Sequence, residues 1–353
     1  MAGLLRKLFG KSEPQIASLK PFDVEIAVDG SQTLLEAALA QDVAFPHNCT
    51  VGTCGSCKCR LVSGKVSALT DFGYTLSKEE LEAGFILACQ ARLKSAVTVE
   101  VESPAANTPP PEQFQGRIAR SDDLTHDIKS VTVALDRPMN YIAGQYANVL
   151  VDGIPARSYS FAAAPERNGR QEITFYIRKI PGGALTERLF AGQLSAAAVG
   201  IDGPHGTFYL RQGDGPIICI AGGSGLAPLL SLLQDARKNR VRRRCVMLFG
   251  ARTQADLYGL DQIEEIARDW LPAFRFVPVL SHEPEDSDWR GLRGFVTSHL
   301  AALLPQGDPA EFQSYMCGPP PMIDAAVTVM TGLGIPLASI HYDKFTDASF
   351  AAR

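Results

Sequence analysis

The 353-residue sequence has no basic excess. Its 34 Lys and Arg face 38 Asp and Glu, a formal charge of −4, so nothing here builds the positive surface that nucleic acid requires. Histidine is scarce, 6 in all, and only His47 lies near the cysteines, which leaves a Rieske centre without its histidine pair; His47 reads as a loop or surface residue. No internal repeat is visible, which excludes a solenoid. No apolar core with a small-residue cleavage site opens the chain, so a reducing cytoplasm is the expected setting and the thiols are expected to be free. Long apolar runs are absent with one exception, the 20 uncharged residues from Gly215 to Gln234. Pro216, Pro228 and glycines 222, 223 and 225 divide that run into a strand, a turn and a helix, so it does not read as a membrane span.

What is present suits a multidomain globular protein, with 46% hydrophobic and 20% charged residues and enough length for three modules, each with its own core. Residues 1–20 form an N-terminal tail. Its first thirteen, MAGLLRKLFGKSE, have a basic amphipathic pattern that fits either a frayed terminus or a peripheral contact with a membrane surface, the inner membrane if the setting is bacterial. Residues 21–102 read as one unit: a strand over Phe22–Val28, a helix over Thr33–Gln41, a cysteine loop, a hairpin around Ser63–Gly64, a capping box at Ser77 and Glu80, and a strand over Val97–Val101. The four-proline stretch Ser103–Gln113 marks a linker, set at 103–112. Residues 113–212 carry alternating short strands, such as Ser130–Leu135, Ala147–Val151 and Glu172–Arg178, that predict an antiparallel barrel. From 213 to 353, apolar strands (Ile217–Ala221, Cys245–Gly250, Arg275–Leu280, Tyr315–Cys317) alternate with helical stretches, the pattern of a parallel α/β sheet. The basic run from Lys238 to Arg244 reads as a solvated helix end or a docking patch.

Five of the eight cysteines lie between residues 49 and 89. Four residues separate Cys49 from Cys54 and two separate Cys54 from Cys57, the plant-type 2Fe-2S spacing, with Cys89 as the fourth thiolate. Small residues fill the loop, so backbone N–H groups can approach the sulfurs and stabilise the added charge of a reduced cluster. Cys59 complicates the pattern, because zinc sites and redox pairs also use close cysteines. Its alternation with Lys58 and Arg60 places it instead as a small buried side chain.

Arg157-Ser158-Tyr159-Ser160 ends a strand in the barrel module, and is expected to set a guanidinium, an aromatic face and a hydroxyl on one side of it. These are pieces a flavin needs: Arg157 for phosphate, Tyr159 against the ring system, Ser160 near its redox-active nitrogen. Tyr176 and Arg178 precede Gly182-Gly183 and a helix from Ala184 to Phe190, whose entry offers N–H groups to phosphate, with Thr186 adding a hydroxyl. In the last module a strand runs into Gly222-Gly223-Ser224-Gly225-Leu226-Ala227-Pro228 and a helix, fit for a pyrophosphate. A second turn, Cys317-Gly318-Pro319-Pro320-Pro321-Met322, lies at the same sheet edge, where ligands bind. Cys317 is placed either as an aid to aligning a nicotinamide or as a buried strand-end thiol. Arg252 closes Phe249-Gly250-Ala251-Arg252, where the adenosine ribose is expected; one arginine alone favours NADH over NADPH.

CTVGTCGSC with Cys89, then RSYS, GGSGLAP, FGAR and CGPPPM, in that order, resemble the ferredoxin–NADH reductase components of bacterial multicomponent oxygenases, over nearly everything from residue 21 onward. The resemblance implies a β-grasp 2Fe-2S ferredoxin, a Greek-key β-barrel carrying FAD, and a parallel α/β NADH-binding domain. It assigns Arg157, Tyr159 and Ser160 to FAD, Gly182, Gly183 and Thr186 to its phosphates, and Gly222 to Pro228 with Cys317 to Pro319 to NADH. It also implies an aromatic near the C-terminus beside the flavin, for which Phe345 is the candidate and Tyr342 the second. The expected activity is electron transfer from NADH through FAD and the cluster to a terminal oxygenase, soluble or membrane-bound, of aromatic or hydrocarbon metabolism, by a monomer. With 11 Asp and Glu against 6 Lys and Arg in residues 21–102, an acidic docking face is expected. The alternatives are a reductase serving a deoxysugar dehydratase and a non-catalytic ferredoxin-like scaffold.

Overall fold

In the computed structural model the described residues are 14–47, 49–102 and 108–346. The basic amphipathic segment 1–13 lies outside them. The chain forms two compact units that divide within the Pro-rich segment.

The first unit is built on a five-stranded mixed sheet of order β2-β1-β7-β3-β5. Its elements are β1 (Gln15–Lys20), β2 (Val24–Val28), α1 (Leu34–Ala40), β3 (Lys58–Ser63), β4 (Val66–Ala68), α2 (Lys78–Glu82), β5 (Phe85–Leu87), β6 (Ala91–Leu93) and β7 (Val97–Val101). Thr33 starts α1 with a capping box: its hydroxyl accepts from the Glu36 N–H, and the Glu36 carboxylate accepts from the Thr33 N–H at 2.8 Å. Ser77 and Glu80 do the same for α2. Helix α1 buries Leu34, Leu35, Ala37 and Ala38 in one core with Ala17, Leu19, Ile26 and Val99.

Two expectations for this unit need correction. The sheet begins ahead of residue 21: β1 pairs antiparallel with β2 and parallel with β7, so residues 15–20 are core structure rather than tail. The pattern is weak because the inward residue Ala17 is small while Ile16 is exposed on the other face. Nor do the strands around Ser63–Gly64 form a hairpin. After the turn, β4 leaves for β6, and β3 pairs with β5 and β7.

The second unit opens with β8 (Glu112–Asp123), β9 (Ile128–Met139), β10 (Tyr146–Val151), β11 (Ile154–Ser160), β12 (Arg170–Arg178), α3 (Ala184–Phe190) and β13 (Ala198–His205). The antiparallel order is β11-β10-β13-β8-β9-β12, a Greek-key arrangement, and a bridge between Phe161 and Phe175 draws its two edges together as a barrel. There follow β14 (Ile217–Gly222), α4 (Leu226–Lys238), β15 (Cys245–Ala251), α5 (Leu260–Asp269), β16 (Phe274–Leu280), β17 (Leu292–Arg293), α6 (Leu300–Leu303), β18 (Gln313–Gly318), α7 (Pro320–Gly332) and β19 (Ile340–Lys344). Their sheet is parallel throughout, ordered β17-β16-β15-β14-β18-β19. Strand order reverses between β14 and β18, which makes their carboxyl ends the switch-point crevice.

The barrel keeps a core of its own around Val131, Phe161 and Phe175, but some of its residues join a core of the parallel sheet. Ile128, Ala162, Tyr176 and Phe208 of the barrel pack with Cys219, Leu226, Leu230, Phe249 and Tyr315 of the sheet and its helices. The Ser231 hydroxyl donates to Ala163 O at 2.7 Å, and the Arg211 N–H donates to Tyr315 Oη at 2.8 Å, across the position where 212 was expected to end a module. Within the basic run, Arg243 turns inward and donates to Arg211 O and Gln313 Oε1, so that residue is structural rather than solvated. The uncharged run folds as β14, a turn and α4, and no helix among the described residues is long and apolar enough to cross a membrane.

Candidate functional site

The cysteine loop holds its sulfurs by backbone. The Cys49 N–H donates to Cys54 Sγ and the Cys54 N–H to Cys49 Sγ, both at 3.4 Å; Ser56 N–H donates to Cys54 Sγ at 3.4 Å. The Cys89 N–H reaches Cys57 Sγ at 3.5 Å, which joins the distant segment to the loop. Cys49 and Cys57 are held below the ordinary thiol range by hydrogen bonds, Cys49 from Cys54 and Cys89, and Cys57 from Cys89; Cys54 and Cys89 rise correspondingly. Four thiols that share protons and collect N–H donors suit anionic sulfur ligation of a cluster. Cys59 is different. It lies in β3 opposite Ile86 and Val101, 1% exposed, and burial pushes its thiol up.

Gln90 was missed by the sequence reading, because nothing local distinguishes it from any polar residue beside a cysteine. Its buried amide donates to Thr50 O at 3.2 Å, Cys89 O at 3.0 Å and Cys89 Sγ at 3.7 Å, and accepts from the Thr70 hydroxyl at 3.0 Å. Gly52, with φ of +82°, passes so close that a Cβ there would lie 2.7 Å from Gln90 Cγ.

In the barrel, the residues of Arg157 to Ser160 do not share one side. Alternation along β11 separates them: the Ser158 hydroxyl donates to Asn148 Oδ1 at 2.7 Å, whereas Tyr159 packs near Phe175 with ring centroids 6.2 Å apart. Arg157 is exposed, its guanidinium turned to the carbonyls of Pro155 and Ala156, and Ser160 is buried. Burial pushes the Tyr159 phenol up to about 12. Tyr176, expected at the cofactor, belongs to the shared core: it is 8% exposed, its ring packs edge-on against Tyr258 and its hydroxyl donates to Gln262 Oε1 at 3.0 Å. Gly183 is the N-cap of α3, and the Thr186 hydroxyl bonds within that turn, donating to Ile180 O and accepting from its N–H, both at 3.1 Å. Gly182 ahead of it is open, with no heavy atom within 4 Å of a Cβ built there.

Arg178, at the end of β12, faces the other half of the unit. A Cβ on Gly223 would lie 3.4 Å from Arg178 Nη1, so the guanidinium stands beside the glycine turn. Arg178 Nε donates to Asp127 Oδ2 at 3.0 Å; Arg252 Nη2 donates to the same oxygen at 2.9 Å and approaches Asp256 Oδ1 at 3.5 Å. Burial raises the Asp127 carboxyl, but the two arginines and the Thr125 hydroxyl outweigh it and hold it low. His126, Asp127 and Asp256 converge, yet both carboxylates are taken by guanidinium groups, so the cluster is an ion-pair network rather than a cation site.

Gly222 ends β14, Gly223 to Gly225 form a tight turn with Ser224 half-buried, and α4 follows with Pro228 inside its first turn. A Cβ on Gly225 would stand 2.1 Å from Cys317 O, so the two glycine turns touch backbone to backbone. A Cβ on Gly222 would meet Pro319 Cδ at 2.9 Å, and Gly318 has φ of +149°. Cys317 itself has no exposed surface, and burial raises its thiol. The Phe345 N–H donates to Gly318 O at 2.9 Å, and its ring packs against the core cluster containing Cys317, which puts this aromatic at the crevice; Tyr342 packs in a different cluster.

Three family models match in order: a 2Fe-2S iron-sulfur cluster binding domain over residues 18–94, an oxidoreductase FAD-binding domain over 115–209, and an oxidoreductase NAD-binding domain over 219–328. The chain is 37% identical to the xylene/toluene monooxygenase electron transfer component XylA of Pseudomonas putida, over 96% of this chain and 95% of that one. It is 36% identical to the phenol 2-monooxygenase reductase component DmpP of Pseudomonas sp. strain CF600, over 95% of each. Among solved structures, the Amycolatopsis cytochrome P450 reductase GcoB matches with a TM-score of 0.71 and 34% identity, over 95% of this chain and 99% of that one. The four-thiol loop, the barrel and the switch-point crevice thus fall within these three family models in turn, and the chain belongs to the family of iron–sulfur flavoprotein reductase components of multicomponent oxygenases.

Proposed function

We propose that this chain serves the terminal oxygenase of an aromatic or hydrocarbon oxygenase system, supplying it with single electrons drawn from NADH. One observation carries the reading: four thiols gathered in a backbone-lined loop precede a barrel whose Arg178 stands beside the Gly223 turn of the switch-point crevice. FAD, when bound, accepts two electrons as hydride and releases them singly, and the 2Fe-2S cluster carries one at a time. The protein's own part is positioning. Cys49, Cys54, Cys57 and Cys89 are the ligand set, because among the described residues these four thiols combine mutual contact with N–H donors. Gly182, Gly183 and the first turn of α3 serve the flavin phosphates, Arg157 and Tyr159 its remaining edges, and Gly222 to Gly225 with Gly318 and Pro319 the dinucleotide. Arg252 is already held by two carboxylates, which leaves it poorly placed to receive a 2′-phosphate and supports NADH as the donor. Phe345, whose N–H is bonded to Gly318 O, is the aromatic of the C-terminal segment placed next to the second glycine turn.

The test is direct. Purified chain, NADH and candidate aromatic-ring or hydrocarbon hydroxylases are combined, and hydroxylated product is measured against cytochrome c reduction as a general readout. Cytochrome c reduction without product from any such hydroxylase, but with turnover by a dehydratase, sinks the oxygenase assignment. Absence of any NADH-dependent reduction sinks the reductase reading altogether.

A further inference from the structure

The Gln90 side chain is buried, 6% exposed, and its amide nitrogen is directed at the cysteine loop. Its nitrogen faces two backbone carbonyls, Thr50 O at 3.2 Å and Cys89 O at 3.0 Å, which can only accept. The amide orientation is therefore unambiguous: the NH2 group points into the loop and the oxygen away from it. The oxygen is latched from behind by the Thr70 hydroxyl at 3.0 Å. With the amide so fixed, Nε2 lies 3.7 Å from Cys89 Sγ, and because its two hydrogens face three acceptors, the bond to sulfur is one branch of a bifurcated donor shared with a carbonyl. The same group ties the crest of the loop, at Thr50, to the segment that carries the distant thiol.

We propose that Gln90 is a positioning residue that sets the reduction potential of the cluster, by donating a side-chain hydrogen bond to the Cys89 sulfur and by clamping the loop to the Cys89 segment. The inference rests on the assignment of Cys89 as a ligand. The physical reason is charge. Reduction adds negative charge that spreads onto the ligand sulfurs, and an N–H donor stabilises that form more than the oxidised one. Backbone donors already serve Cys49, Cys54 and Cys57. The Thr53 hydroxyl adds a side-chain donor to Cys49 Sγ at 3.7 Å, but that sulfur keeps its backbone donor, whereas among the described residues the N–H donor to Cys89 Sγ comes from a side chain, so a single substitution can remove it.

Gln90→Met keeps the length and removes the donor. In the purified full-length protein it is expected to retain iron and the charge-transfer bands of the cluster while its potential, read by redox titration of the reduced-cluster paramagnetic signal, moves negative; the flavin potential stays in place. A second variant, Thr70→Val, leaves the amide present but unlatched and is expected to shift the potential in the same direction by less. If Gln90→Met fails to retain iron, Thr70→Val decides the matter: a negative shift supports the proposal and an unchanged potential overturns it. An intact cluster with an unchanged potential in Gln90→Met also overturns it and leaves the residue as packing. Should Cys89→Ser keep a wild-type cluster, the ligand assignment beneath the proposal falls, an outcome distinct from either potential reading.

Discussion

Gly225→Ala puts the contact between the two glycine turns to the test. A Cβ at this position lies 2.1 Å from Cys317 O and 2.4 Å from the Cys317 carbonyl carbon, both backbone atoms that cannot rotate away. Relieving the clash requires the turn after β14 to separate from β18 by roughly 1 Å, given a van der Waals contact of about 3.2–3.5 Å. The two strands are register-locked parallel neighbours from Ile217 opposite Gln313 to Ala221 opposite Cys317. A 1 Å separation, roughly, takes the last ladder hydrogen bonds out of range, and losing one or two costs about 1 kcal/mol each. Adding about 1–3 kcal/mol for overpacking gives a loss of roughly 2–5 kcal/mol. For a unit of this size that lowers the melting midpoint by about 5–20 °C. The same movement parts the two turns proposed to hold the dinucleotide, so KM for NADH is expected to rise about tenfold or more, equivalent to about 1.4 kcal/mol. Calorimetry on the flavin-loaded protein and steady-state NADH oxidation measure the two effects. Gly332→Ala, where a Cβ meets nothing within 4 Å at the end of α7, is the control and should be neutral or slightly stabilising. Wild-type melting and wild-type KM in Gly225→Ala would refute the reasoning.

Three further outcomes follow from the same geometry. Cys59→Ser is expected to keep the visible spectrum of the cluster at a stability cost of about 1–3 kcal/mol for burying a hydroxyl, whereas Cys57→Ser loses or alters that spectrum; iron content and absorbance distinguish them. Asp256→Asn weakens the hold on Arg252 and should raise NADPH use relative to NADH severalfold, read as the ratio of kcat/KM values; an unchanged ratio would show that this network does not govern donor choice. Asp343 stands opposite Cys317 on β19, and burial pushes its carboxyl up to about 7. Because the folded form holds the proton more tightly than the unfolded chain, stability is fullest below about pH 4 at this site and declines as pH rises toward 7. Asp343→Asn should flatten that decline in melting temperature between pH 4 and 7, roughly, and a slope equal to wild type would count against it.

Much of the site is written locally. Cysteine spacing, the Thr33 and Ser77 capping boxes and the Gly222 to Pro228 turn each act over a few residues, so their chemistry is visible in the sequence and each element forms where it points. The three cofactor modules could be read for the same reason, since each carries a short motif with its own physical demand. What tertiary structure decided is non-local. Whether β4 pairs with β3 or leaves for β6 depends on partners some 25 residues away, roughly, and not on the turn between them. Tyr176 could be taken for a cofactor contact until α5 and Tyr258 closed over it, and the barrel and parallel sheet share a core that no window of sequence displays. Gln90 shows the difference most sharply: its neighbour Cys89 is legible from spacing, but its own role depends on Thr50, Thr70 and Gly52 arriving around one amide, and only folding brings them there.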